Sequence, residues 1–344
     1  MSVGIVRENI YLEHITDDYH PESPQRLAHI YAMLQDLDPT TLTRVPARMA
    51  THDEIALNHD PSYIAMVAET SGQPTRRLDP DTVTSPKSYE AACMAVGGVL
   101  ELAEAVLTGK VENGFALVRP PGHHAERARA MGFCIFNNIA VAARYLEKQH
   151  GMSRILIMDW DLHHGNGTQH SFYEDPTVLY VSTHQYPYYP GTGGFSETGE
   201  GKGKGYTVNV PTSYGFGDDD YLHIFETVVV PVATRFKPEI VLVSAGFDIH
   251  QGDPLGGMSV TEAGFARMTR LLMDLAAAQC GGKIVFVLEG GYYLEGLTNS
   301  VKAVLMEMAG TPIYSAREGK KPSAGAVQAV AQAKQTLKPY WGDF

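Results

Sequence analysis

Five short runs of branched and aromatic residues constrain the fold more than any other feature: Phe115 to Val118, Ile155 to Met158, Val178 to Val181, Ile240 to Val243 and Ile284 to Leu288. None alternates strictly between apolar and polar, so each reads as a strand covered on both faces, the situation of a parallel sheet in an α/β protein. Between them lie stretches with helical periodicity, at Asn137 to Gln149, Asp219 to Phe236 and Thr261 to Ala278. Ser85 followed by Pro86 reads as an N-cap and first-turn proline opening another helix through Glu101, with Gly109 placed to close it. Strand and helix alternate over most of the 344 residues, which predicts one α/β domain spanning 1–344. Ala324 to Leu337 reads as a peripheral amphipathic helix. The glycine-, proline- and tyrosine-rich segment Pro187 to Gly205 reads as a long surface loop, and Tyr186 to Lys204 is a candidate subunit contact in a homo-oligomer.

Composition narrows the function classes. Hydrophobic residues make up 44% and charged residues 19%, ordinary proportions for a soluble enzyme, with no apolar run long enough to span a bilayer. The first residues, MSVGIVRENIYLEH, lack the apolar stretch of a secretory signal, so a cytoplasmic location is expected. Cys93, Cys134 and Cys280 are three thiols without C-x-x-C spacing, which argues against a disulfide framework or a thiolate metal site and for buried free thiols. The net charge of −12 disfavours direct binding to nucleic acid and suits cationic or basic partners.

The chemistry collects after the strands, where open α/β sheets place their ligands. After the first run comes RPPGHHA, with His123 and His124; after the second, DWDLHHGNGTQH; after the fourth, SAGFDIHQGDP; after the fifth, EGGYY. In a parallel sheet all four meet at one edge. Asp159, Asp161 and His163 are spaced two apart, so an extended backbone turns them to one side. Asp161 and His163, joined by Asp248, form a three-ligand set that leaves a coordination position open for water and substrate, the mark of a catalytic site. Such ligands suit Zn2+, with Fe2+ or Co2+ as substitutes. A lone D-x-H triplet is ordinarily a hydrogen-bonded strand end; the three further clusters at comparable strand ends make the catalytic reading the better one. His164 and His170 read as structural or supporting residues. Two adjacent imidazoles do not readily protonate together, so the His123–His124 pair should titrate in separated steps, leaving one as a base near neutral pH. Asp159 is placed to orient one histidine and Asn166 the other. Tyr292, after Glu289, Gly290 and Gly291, is a candidate hydroxyl donor to an oxyanion.

RPPGHHA, GFCIFNN, DWDLHHGNGTQ, VSTHQ, SAGFDIHQGDPLGG and LEGGYY together resemble the histone-deacetylase superfamily, which includes acetoin-utilisation proteins and acetylpolyamine amidohydrolases. The likeness runs from Glu13 and HPESPQR at His20 to Arg26, through LDPDTVTSPKSYEAA, to Tyr292, and its wording is closer to class II and bacterial members than to class I. It implies a three-layer α/β/α arginase-like fold with an eight-stranded, mostly parallel sheet. It implies zinc on Asp161, His163 and Asp248, a catalytic pair at His123 and His124, and a transition-state tyrosine at Tyr292. It also implies a narrow substrate tunnel lined by Gly132, Phe133, Tyr189 and Leu255, and Arg26 beside an internal acetate channel. Potassium is implied at Asp159, Asp161, His163 and Ser182, and at a second site at Phe172, Asp175 and Val178.

Two departures stand out. Asn166 replaces the aspartate of class I, as in class II, and Tyr189 replaces a common phenylalanine. The expected activity is zinc-dependent hydrolysis of an acetylated amine, either an acetyl-lysine peptide or a small acetylated amine such as an acetylpolyamine. Glu13, Asp17 and Asp18 are candidate acidic gate residues. The rival readings are a binuclear ureohydrolase-type enzyme, which metal stoichiometry would reveal, and a non-catalytic acyl-amine binding protein, which turnover would exclude.

Overall fold

The computed structural model describes residues 2–38, 40–314 and 321–344. The strands are β1 (Val3–Val6), β2 (Leu42–Arg44), β3 (Arg76–Asp79), β4 (Thr82–Thr84), β5 (Asn113–Ala116), β6 (Ile155–Asp159), β7 (Val178–Gln185), β8 (Thr207–Thr212), β9 (Ile240–Ala245) and β10 (Ile284–Leu288). Eight of them form one sheet in the order β2-β1-β5-β10-β9-β6-β7-β8. Every pairing in it is parallel, so all the carboxyl ends lie on one edge. β3 and β4 form a separate antiparallel ribbon.

All residues of β5, β6, β9 and β10 are buried, which requires helices on both faces. The helices group in two rows. Gln25–Gln35, Leu294–Met308 and Glu262–Cys280 pack side by side, and Ser88–Leu107 packs against Asn138–His150. The helix Ala324–Trp341 lies along the edge strand β8 and buries Ala326, Ala329, Val330, Ala333 and Leu337. Capping a sheet edge in this way removes a row of unpaired backbone groups. No helix among the described residues is long and apolar enough to cross a membrane, and the three cysteines are free and buried.

All five expected strands form, β10 with the expected limits and the other four with shifted ones. β5 begins two residues earlier than its apolar run and ends at Ala116, while β7 continues to Gln185. Strands β1, β2 and β8, which the sequence reading did not separate, complete the sheet. Ser85 is not the N-cap. Its hydroxyl is engaged by the Ile15 amide at 2.9 Å, and the helix starts at Ser88 after Lys87, which makes no side-chain cap bond, and runs on to Leu107. Asn137 does cap its helix, accepting from the Ala140 amide. The Asp219 to Phe236 stretch is helical but contains a π turn at Phe225–Val229; Pro231, lacking an N–H, falls in the turn that follows, and the wider turn absorbs the missing bond.

The register sets the functional edge. Asp159 at the end of β6 lies level with Ser182 of β7 and Ser244 of β9, while Leu288 at the end of β10 pairs with Ala245. Leu242, fully buried in the middle of the sheet, tests how firmly that edge is held. Leu242→Ala should destabilise the chain by roughly 2–5 kcal/mol, the range for a buried leucine truncated in a packed core. Urea denaturation measures it, and a loss below ~1 kcal/mol would show that the sheet centre can collapse around the gap.

Candidate active site at the carboxyl edge of the sheet

The extended backbone beyond β6 brings Asp161 and His163 to the same side, and the loop after β9 delivers Asp248. His163 Nδ1 lies 3.0 Å from Asp248 Oδ2 and 3.2 Å from Asp161 Oδ1. One ligand atom from each of the three falls within 4.8 Å of the others, and all three residues are buried. The electrostatics ask for a cation. Burial and the Asp161 charge push Asp248 up to about 7, whereas bonds to both carboxylates overcome the burial penalty on the His163 imidazolium and raise it to about 9. A group that draws a proton so strongly into a buried spot is one that a divalent ion would satisfy. The carboxylate–imidazole donor set suits zinc.

Small residues let the backbone close around this centre. A Cβ on Gly290 would stand 2.5 Å from Asp248 Oδ2 and 2.6 Å from Asp161 Oδ2. The bare Gly290 N–H donates to Asp161 Oδ2 at 2.9 Å.

The histidine pair sits on the turn Arg119–Gly122, pinned to Asn138, whose side-chain amide donates to the Pro120 carbonyl. The two rings are 4.0 Å apart between centroids, and their partners differ. His123 Nδ1 lies 3.1 Å from Asp159 Oδ2, and His124 Nδ1 lies 2.8 Å from Asn166 Oδ1. Burial works against charge on His123, but Asp161 and Asp159 outweigh it and raise the group to about 10. Burial, His123 and His163 instead push His124 well below the ordinary imidazole value. The pair therefore titrates in widely separated steps, with His124 the neutral member.

Tyr292 stands across from the pair. Its ring is 5.9 Å from Phe133 and lies under the Arg26 guanidinium at 5.1 Å. Its backbone N–H donates to Asp253 Oδ2 at 2.6 Å. Burial pushes its hydroxyl well above the usual phenol range, so it stays protonated and able to donate. Asp81, His124, Gly132, Phe133, His163, Tyr189, Leu255 and Tyr292 line a cavity of about 170 Å³. That is smaller than the roughly 300–1,000 Å³ of most small-molecule pockets and suits an unbranched chain rather than a ring. Larger hollows, of about 340 and 580 Å³, lie on the helical flank and at the amino ends of the strands, away from this cluster.

All four residues expected to line a tunnel do line this cavity, whereas Glu13, Asp17 and Asp18 do not; the acidic lining residue is Asp81. Asp17 instead pairs with Arg77 at the surface. Asp81 belongs to the quoted run LDPDTVTSPKSYEAA, and its place at the turn between β3 and β4 was not readable without the ribbon. Its Oδ1 accepts from the Gly132 N–H at 3.0 Å. Gly132 and Phe133 both have positive φ, 56° and 69°, and a Cβ on Gly132 would strike the His124 ring at 2.3 Å, so only glycine lets this wall approach the histidine.

Glu289 was also missed, although it directly follows a wholly apolar strand. Fully buried and pushed up to about 7 by burial, it accepts from the Gly122 and His123 amides at 2.7 and 3.2 Å and from Ser244 Oγ at 3.0 Å. Beneath Tyr292 lies a fully buried ion cluster. Glu22 accepts from Arg26 at 2.9 Å and from Arg119 at 2.5 and 2.8 Å, and Arg26 also donates to the Gly291 and Glu289 carbonyls. Burial raises Glu22, but the two guanidiniums outweigh that and hold it well below the carboxylate range.

Of the residues expected around potassium, Ser182 Oγ lies 2.8 Å from His184 Nδ1, and the Asp175 carboxylate pairs with Arg144. His164 is a structural residue, held between Thr192 and Gln169. His170 is half exposed and bonds to Glu126.

Residues 20–308 match the family model of the histone deacetylase domain. The chain belongs to the histone deacetylase family. It is 39% identical over 322 residues to a probable deacetylase of Archaeoglobus fulgidus, covering 92% of this chain and 89% of that one. It is 41% identical over 334 residues to human polyamine deacetylase HDAC10, covering 93% of this chain and 49% of that protein. The crystal structure of the HDA15 HD domain superposes with a TM-score of 0.92 at 41% identity, covering 99% of this chain and 95% of that chain. The arginase-like histone deacetylase fold expected from the motifs is therefore present. The chain spans about half the length of several curated relatives.

The Glu22 cluster supports a stability prediction. Glu22→Ala leaves Arg26 and Arg119 buried without their carboxylate and should cost roughly 3–5 kcal/mol. Chemical denaturation checks it; an unchanged midpoint would mean that the backbone carbonyls alone satisfy both guanidiniums.

Proposed function

We propose that this chain is a single-domain, zinc-dependent amidohydrolase that removes the acetyl group from an acetylated amine such as acetyl-lysine in a peptide. The observation that carries the reading is the meeting, at the end of one narrow cavity, of a neutral imidazole, a protonated phenol and the Asp161–His163–Asp248 set. Zinc held by these three, or Fe2+ or Co2+ in its place, supplies Lewis acidity toward the acyl carbonyl and the attacking water. The side chains do the rest. His124 takes a proton at Nε2 from the attacking water and returns it to the departing amine nitrogen. The Tyr292 hydroxyl donates to the oxyanion that forms on the carbonyl oxygen. His123, paired with Asp159, keeps a positive charge beside that oxyanion. Phe133, Tyr189 and Leu255 sheath the alkyl chain, and Arg26 attracts the acetate product behind Tyr292. Potassium is proposed at the two sites the family resemblance implies, near Ser182 and near Asp175.

A second reading, a small acetylated amine such as an acetylpolyamine, is favoured by Asp81, a carboxylate on the cavity wall that could meet a second ammonium, and by the likeness to a polyamine deacetylase.

Acetate release from zinc-loaded protein distinguishes these readings when an acetyl-lysine peptide is compared with N-acetylputrescine and N-acetylspermidine, with Asp161→Ala as blank. Release from the peptide is expected. Release only from the small amines would shift the assignment to the second reading, and release from none with zinc bound would sink the acetyl substrate. Tyr292→Phe should lower kcat by roughly 10²-fold, the loss for one oxyanion donor, while zinc content is retained; unchanged turnover would remove Tyr292 from the mechanism. Elemental analysis should find one zinc per chain, lost in Asp248→Ala; two catalytic ions would favour the binuclear rival.

A further inference from the structure

His124 can act as a base at Nε2 only if its single proton sits on Nδ1, and the group facing Nδ1 is an amide, which does not by itself decide the matter. An asparagine side chain presents either its oxygen or its NH2 after a half-turn about its last bond, and the two faces select opposite imidazole tautomers. Something has to fix Asn166. On its far side lies Glu126, whose Oε1 is 2.5 Å from Asn166 Nδ2. An ionised carboxylate only accepts hydrogen bonds, so it draws the NH2 to itself and leaves Oδ1 facing His124 Nδ1, 2.8 Å away. Weaker contacts from the same NH2 to the His124 carbonyl at 3.3 Å and to Met131 Sδ at 3.4 Å agree with this orientation, since both of those atoms accept.

Glu126 is itself held from outside. His170 Nδ1 lies 2.8 and 3.0 Å from its two oxygens. Burial raises the Glu126 carboxyl, but the bonds and charge of His170 and the Asn166 bond outweigh that and hold it below its ordinary value, so it is ionised at neutral pH.

We infer that Glu126 is a positioning residue for the reaction: by fixing the orientation of the Asn166 amide it sets the Nδ1–H tautomer of His124 and leaves Nε2 free to accept the proton of the attacking water. The assignment rests on the deacetylase reading for its consequence in catalysis, and on geometry alone for the tautomer. The neighbouring His123 needs no such device, because Asp159 offers only acceptors. At His124 the carboxylate stands one residue further out and acts through an amide.

The test exchanges the order of the two groups. Glu126→Gln preserves shape on a partly exposed side chain but can present its own NH2 to Asn166, permitting the wrong tautomer. It should lower kcat by roughly 10-fold or more with KM within about twofold, since misplacing this proton removes the base without touching substrate contacts. Adding Asn166→Asp restores an acceptor-only group against His124, and the new glutamine amide donates to that aspartate from behind. The double variant should therefore recover kcat to within about threefold of the parent. An unchanged kcat in Glu126→Gln, or a double variant no better than that single one, would overturn the inference, because a merely structural role makes the two losses accumulate.

Nitrogen-15 spectra of histidine-labelled, metal-free protein, with His124 assigned by its absence in His124→Ala, read the tautomer without turnover and without any change at Glu126. The proton is expected on Nδ1, and finding it on Nε2 would also overturn the inference. If the parent binds zinc and releases no acetate from any substrate, the deacetylase reading fails while these spectra still decide the tautomer.

Discussion

Buried charge has to be balanced, and at this sheet edge the requirement is severe. Five carboxylates, those of Glu22, Asp159, Asp161, Asp248 and Glu289, are almost completely removed from water, against two buried guanidiniums, Arg26 and Arg119. Each unmatched ion would cost several kcal/mol. An imidazolium at His123 together with a divalent cation on Asp161, His163 and Asp248 would offset the excess negative charge of these five. Burial and these neighbouring charges together tilt the two histidines in opposite directions. His123 faces two aspartates and is held charged; His124 faces an amide, a neighbouring imidazolium and His163, and is held neutral. One dipeptide thus holds a charged and a neutral imidazole side by side because the surroundings of its two rings differ.

The parallel sheet makes so dense a cluster possible. Only parallel strands deliver every carboxyl end to the same edge, and the register aligns Asp159, Ser182 and Ser244 in one row. The wall that faces His124 comes from a different source, the Gly132–Phe133 backbone hung on Asp81 and Thr82 of the small ribbon. The buried polar cluster is therefore built by the sheet, whereas the cavity above it is shaped by segments outside it.

That division explains what could be read in advance. Asp161, His163, Asp248, the histidine pair and Tyr292 each follow an unmistakable apolar strand, so their convergence was legible once the strands were taken as parallel. The family motifs carried the tunnel residues Gly132, Phe133, Tyr189 and Leu255. Asp81 was not legible as a lining residue, because a ribbon of one four-residue and one three-residue strand, mostly polar in sequence, carries too little periodicity to read. Glu289 and Glu126 were hidden differently: a glutamate after a strand, or one on a loop, looks like a solvated charge until its acceptor oxygens are seen against backbone amides or an asparagine. Strand β1 and the edge strands β2 and β8 were missed because they are short or carry polar residues at covered positions. The supposed cap at Ser85 failed because a distant segment, at Ile15, claims its hydroxyl.

The four residues from Glu289 to Tyr292 touch nearly every part of the centre. Glu289 grips the histidine turn, the Gly290 amide holds Asp161, Arg26 grips the Gly291 carbonyl, and Asp253 holds the Tyr292 amide. A displacement of the β10 end would therefore be passed to the histidine turn, Asp161 and Tyr292 together. Such a linkage would make their separations like marks on one ruler, which keep their spacing when the ruler is shifted as a whole.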